Sequence, residues 1–209
     1  MRKIIYFIEF ILIKILFIIF KLIGYKFSSN LGFLIGIIFG PLFKSKKQII
    51  KNLEKANIQK KQNLKKIASN VLGNYGRIFA EYVHLEDFRN NKLNKYISIE
   101  GNEHLNDLKK SKKKAIFISG HFNNFELMAM QIEKVGIELA AIYRPLNNVF
   151  LNKTMEKIRT ENICKNQIKK GRAGSREIIK NVKNGKSIAI MIDQRVREGE
   201  KVNFFNHLA

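Results

Sequence analysis

The chain has 209 residues but a single cysteine, Cys164, only two prolines, and few acidic groups. A lone thiol excludes an intrachain disulfide and fits a reducing compartment. With no histidine near it in sequence, Cys164 reads as an inert thiol and not as a nucleophile. Proline is too scarce for a Pro-rich linker. No internal repeat and no low-complexity segment appears beyond a Lys/Asn bias. Asp and Glu number 17 against 39 Lys and Arg, a formal net charge of +22. That imbalance draws an anionic partner, such as a lipid surface, a phosphorylated glycolipid, an acidic carrier protein or nucleic acid. Part of it reflects the Lys-, Ile- and Asn-rich composition, so charge alone names no partner.

Several function classes lose their support at once. There is no Gly-rich phosphate loop and no GxSxG elbow. The histidines have no metal-ligand spacing with cysteine or with a carboxylate cluster, so no metal site is expected. The aromatic residues are mostly Phe inside apolar runs, not interleaved with basic residues as a stacking platform. With no helix-turn-helix or zinc pattern either, nucleic acid is not expected as a partner.

What is present begins with apolar sequence. Residues 4–23, IIYFIEFILIKILFIIFKLI, are long enough to span a bilayer as a helix, although Glu9, Lys14 and Lys21 interrupt them. We expect a membrane-anchoring helix over residues 1–24, spanning or interfacial. The run is too long for the apolar region of a cleavable signal, and no small-residue cleavage site follows it. A second stretch, LGFLIGIIFGPLF at 31–43, is short for a span and reads as a re-entrant, interfacial or core-packed helix. The KSKK that follows favours the cytoplasmic face. Residues 46–84 place apolar residues at three- and four-residue steps, which predicts two helices separated by NIQKKQN. Residues 25–95 thus form a helical extension.

After residue 95 the texture changes. YISIEG, KAIFISG, IELAAIYRP and KSIAIMIDQR read as strands. EHLNDLKKSKK, FELMAMQIEKVG, NVFLNKTMEKIRTEN and SREIIKNVKNG read as helices between them. The alternation predicts an α/β fold over 96–209, with a mixed sheet flanked by helices. The chain stops at VNFFNHLA, mid-pattern, so we expect it to be truncated at the C-terminus.

His121 follows the strand KAIFISG and precedes a helix, where α/β proteins build sites. Glu126 lies five residues on in GHFNNFE, within reach back across a turn. A carboxylate on one ring nitrogen fixes the tautomer and makes the other a base for a sugar or lipid hydroxyl. Gly120 allows close backbone approach, and the helix N-terminus offers N–H groups to an oxyanion. His84, His104 and His207 lie in poorer settings, on an apolar helix, in a polar helix and at the chain end.

Four blocks come in order: SGHFNNFE, IYRPLNN, KGRAGSREIIKNVKNGKSIAIMIDQR and VNFFNHLA. This succession resembles the lipid A biosynthesis acyltransferases, the lauroyl/myristoyl transferases of Gram-negative bacteria, from about residue 20 to the last. The resemblance implies a glycerol-phosphate-acyltransferase-like core. His121 would be the general base and Glu126 its partner. Arg144, Arg159, Asp193 and Gln194 would bind substrate, the two arginines as forks for phosphate or carboxylate oxygens. Arg172 and Arg176 read equally well as solvated charges. The implied donor is acyl-acyl carrier protein, the acceptor a Kdo-bearing lipid A precursor, the place the cytoplasmic face of the inner membrane. No metal or organic cofactor is implied. An acyltransferase for another phospholipid or glycolipid, and a non-catalytic basic membrane-anchored binding protein, are the alternatives.

Overall fold

The structure is a computed structural model that describes residues 2–56, 63–193, 201–204 and 207–208. It opens with two apolar helices, α1 (Arg2–Ile23) and α2 (Tyr25–Phe43), joined at Gly24. α3 (Lys46–Lys55), α4 (Leu64–Glu81), α5 (Leu85–Arg89) and α6 (Asn102–Ser111) follow. The α/β part runs β1 (Ile116–Ser119), α7 (Glu126–Lys134), β2 (Leu139–Tyr143), α8 (Val149–Asn162), β3 (Asn166–Lys169), α9 (Arg172–Lys183) and β4 (Ser187–Met191). A short antiparallel ribbon, β5 (Asn203–Phe204) and β6 (His207–Leu208), stands apart.

The α/β architecture agrees with the alternation in the sequence. The four main strands lie in the order β1-β4-β2-β3 and are all parallel. Antiparallel pairing among the described residues is confined to the ribbon. Two elements differ from expectation. YISIEG forms no strand: a 3₁₀ turn at Asn94–Tyr96 leads into unpaired backbone. The polar strand β3 carries too little apolar alternation to be read from sequence. It sits at the sheet edge, where only β2 pairs with it and polar side chains cost little.

The apolar N-terminus folds against the core as well as facing outward. Phe17 and Phe20 of α1 are buried in one cluster with Leu85, Phe88, Met130 and Leu139. Each such side chain contributes about 2 kcal/mol on burial. Two of the three charges that interrupt α1, Glu9 and Lys21, have partners. Asn148, which caps α8 by accepting from the Phe150 and Leu151 N–H groups, donates to Glu9 Oε2 at 3.0 Å and to the Tyr6 carbonyl. Lys21 reaches Asp87 at 2.6 Å. The other side of α1 exposes Ile4, Ile8, Ile11, Leu12, Ile15 and Leu22.

α2 is longer than its 13-residue apolar stretch and spans 19 residues. Among the described residues it is the one helix long and apolar enough to cross a membrane, by length and composition. α1, the anchor expected over residues 1–24, does not pass this measure, since Glu9, Lys14 and Lys21 interrupt it, but its apolar outer side is exposed. α2 packs on α4 with the backbones nearly touching: a Cβ on Gly76 would lie 2.1 Å from the Gly32 carbonyl oxygen, and one on Gly36 2.4 Å from that of Leu72. This contact fixes where α4 stands beside the α/β part.

Candidate active site

The register of β1 and β4 builds the site. Ser119 pairs with Met191, and the Ile192 N–H continues the ladder to the Ser119 carbonyl at 3.0 Å. His121 stands two residues past Ser119 and Asp193 two past Met191. Parallel neighbours in register bring those two positions side by side at the carboxyl end of the sheet, beside the place where strand order departs from chain order. Asp193 Oδ1 lies 2.7 Å from His121 Nδ1, and Oδ2 accepts the His121 backbone N–H, also at 2.7 Å. A Cβ at position 120 would sit 3.1 Å from Asp193 Oδ2 and 2.8 Å from the Phe122 ring, so glycine lets the carboxylate close on the turn. The Phe125 ring stands edge-on to the imidazole, with centroids 4.5 Å apart.

A carboxylate is an acceptor only, so Nδ1 carries the proton and Nε2 is the basic nitrogen. Burial works to raise the Asp193 pKa, but the two hydrogen bonds from His121 overcome it and hold the carboxyl below its ordinary value.

Glu126, expected beside His121, is engaged elsewhere. It is buried, 2.9 Å from Arg159, and accepts the Tyr82 hydroxyl. Arg159 also donates to the Tyr82 oxygen at 2.8 Å. Burial and the Glu126 charge keep the Tyr82 phenol well above its ordinary pKa, so it remains a donor. Burial opposes the Arg159 charge, but Glu126 outweighs it and raises its pKa. The guanidinium expected to be a fork for substrate oxygens thus also pairs with a protein carboxylate while it lines the cavity. Tyr82 was not legible as a site residue, since nothing near it in sequence ties it to Glu126.

The backbone N–H groups of Phe122, Phe125, Leu127 and Met128 are bonded to carbonyls within the turn, so an oxyanion would draw its donors from others. Asn124 donates to the buried Glu81 carboxylate at 2.8 Å, and Ser29 of α2 donates to the same group at 2.7 Å. Glu81 thereby ties the His121 turn to α2.

Beside His121 a cavity of about 580 Å³ runs over the sheet. Ala141, Ile142, Ile168, Ala189 and Ile190 form apolar lining, while Arg144, Arg159, Lys169 and Lys170 supply positive charge. Arg144 is exposed and lines this cavity. Gln194 and the Arg172 side chain lie outside the described residues. Among the described residues no cluster of His, Cys, Asp and Glu is placed to hold a metal ion. Cys164 is fully buried, and burial pushes its thiol up to about 11. His84 is a buried packing residue bonded to Ser28 and to the Phe20 carbonyl, and His104 is exposed.

The arrangement is a histidine oriented by a carboxylate at the mouth of an apolar, cation-rimmed cavity. A search of curated proteins returns no match. A profile of the bacterial lipid A biosynthesis acyltransferases matches residues 1–209. The chain therefore belongs to the bacterial lipid A biosynthesis acyltransferase family.

Proposed function

We propose that this chain transfers a fatty acyl group from acyl-acyl carrier protein to a hydroxyl of a lipid A precursor, with His121 as general base. The observation that carries the reading is the His121–Asp193 pair at the mouth of the sheet cavity. Asp193 holds the Nδ1 proton, and Nε2 takes the proton of the acceptor hydroxyl. The oxygen attacks the thioester carbonyl, forming a C–O bond and a tetrahedral oxyanion. The intermediate expels the pantetheine sulfur, which takes the proton back from Nε2–H. The apolar lining suits the acyl chain. The cationic rim suits an acidic carrier protein. Glu126 acts through Arg159 and Tyr82, fixing the wall of the cavity beside the base. No step needs a metal or organic cofactor.

The exposed apolar sides of α1 and α2 form far more exposed apolar surface than a soluble protein needs. With the KSKK segment after α2, they support docking on the cytoplasmic face of the inner membrane. In an assay with lauroyl-acyl carrier protein and a Kdo-bearing lipid A precursor, His121→Ala is expected to lower turnover about a hundredfold or more. Undiminished turnover sinks the mechanism. Unchanged lipid A acylation in a deletion strain sinks the acceptor.

A further inference from the structure

His121 borders a second cavity, of about 600 Å³, on the side away from the sheet. It lies between α2, α4 and the His121 turn, and its chemistry differs from that of the first. Asn70, Asn74 and Arg77 of α4 all line it. Their spacing of four and three residues puts them on one helix face. None of these three side chains makes a hydrogen bond or ion pair among the described residues. Arg77 instead lies over the ring of Phe33 from α2, 4.8 Å from its centroid. The cleft thus offers a row of unspent amide and guanidinium groups above an aromatic floor, next to the catalytic base.

We propose that this cleft binds the head group of the acceptor lipid, a hydroxyl-rich saccharide bearing negative charge. The inference rests on the acyl-transfer reading above and divides the two substrates between the two sides of His121. Neutral amides that both donate and accept suit sugar hydroxyls, and one guanidinium suits a phosphate or carboxylate. The sheet cavity, with its aliphatic lining, suits a chain. The volume is that of a site for a drug-sized ligand, more than a glycerol phosphate fills. α2 supplies the approach: its outer residues Phe27, Leu34 and Ile38 are exposed. The acceptor's own chains can therefore stay in the bilayer along α2 while its head group enters the cleft beneath.

Two measurements test this on the full chain. In steady-state transfer from lauroyl-acyl carrier protein, Asn74→Ala and Arg77→Gln are each expected to raise the KM for the Kdo-bearing lipid A precursor about tenfold. The KM for the donor stays unchanged, and Arg77→Lys recovers part of the loss. If Arg77→Gln fails to fold for want of its packing on Phe33, Asn74→Ala, which has no bonded partner, carries the test. A rise in the donor KM, or no change in either KM in folded protein, overturns the assignment. Equal sensitivity of transfer to lysophosphatidic acid overturns the saccharide class. The second measurement needs no turnover: calorimetric titration with the deacylated, water-soluble head group of the same acceptor. Binding by the native chain that weakens about tenfold in both variants supports the subsite even if no transfer occurs. No binding by the native chain overturns the subsite while leaving acyl transfer to be judged by its own assay.

Discussion

Two carboxylates stand near the cavity over the sheet, and they live in different physical settings. Asp193 is part-exposed, with 38% of its side chain accessible, and its partner is a histidine that it meets through two hydrogen bonds. Glu126 is 10% accessible, and its partners are a guanidinium and a phenol. The first carboxylate can bias a proton without holding the fold together. The second has been taken out of water beside a cation, where removing either charge strands the other. In the proposed mechanism, orientation of the base and rigidity of the wall are therefore carried by separate groups, although the five-residue spacing in sequence invites giving the orienting role to Glu126.

The sharpest way to break that comparison is to remove each negative charge without changing shape. Asp193→Asn is expected to reduce turnover by about a hundredfold to ten-thousandfold, because the imidazole loses the acceptor that selects its tautomer. Its unfolding midpoint should stay close to that of the native chain, since part-exposed pairs contribute little. Glu126→Gln should do the reverse in stability, lowering the midpoint by several degrees as Arg159 loses its counter-charge. Full turnover in Asp193→Asn, with a collapse in a fully stable Glu126→Gln, would return the orienting role to Glu126.

The next effect concerns the buried cluster alone. Breaking the Glu126–Arg159 pair from one side, as in Arg159→Met, is expected to cost about 3 kcal/mol of stability. Adding Glu126→Gln to Arg159→Met should recover much of that loss, because no uncompensated charge remains. Turnover should stay low in the double variant, as the wall beside His121 is no longer held by an ion pair. Additive losses in chemical denaturation would show that the two side chains do not act as a unit.

The same contrast marks where the sequence is legible. Strand and helix alternation after residue 95 reads directly, because apolar period and the stops at Gly136 and Gly185 are local; both glycines adopt the positive φ that ends a helix. The position of His121 reads too, as a polar residue after an apolar strand, although β1 lies at the sheet edge and exposes Ile116 and Ile118. The partner of His121 does not. Asp193 is 72 positions away, and it becomes a neighbour only because β4 inserts between β1 and β2. That insertion is a property of sheet order, which no local pattern encodes. The resemblance singled out Asp193 and Arg159, yet assigned both to substrate, because a motif names residues without naming their contacts. The apolar run at residues 4–23 is legible only in part for a related reason. Length and composition see its exposed side and miss the side that packs Phe17 and Phe20 into the core.

The smallest effect lies at the acid end of the stability curve. The hydrogen bonds from His121 hold the folded Asp193 carboxyl below its ordinary value of about 3.9. A group depressed in this way lends its stability fully above the unfolded pKa and loses it as pH falls through the folded one. The native chain should therefore exceed Asp193→Asn by a small margin near neutrality, and the margin should close below about pH 4. Other carboxyls obscure the trend in the native chain alone. At Asp87 burial pushes upward and Lys21 pulls the pKa below normal, and at Glu156 the Tyr143 hydroxyl lowers it. Both remain in the variant, so the difference between the two midpoints isolates Asp193. Thermal unfolding of the pair from pH 7 down to 3 reads it directly. A margin that persists unchanged at pH 3 would mean that the Asp193 charge is not what the folded chain holds.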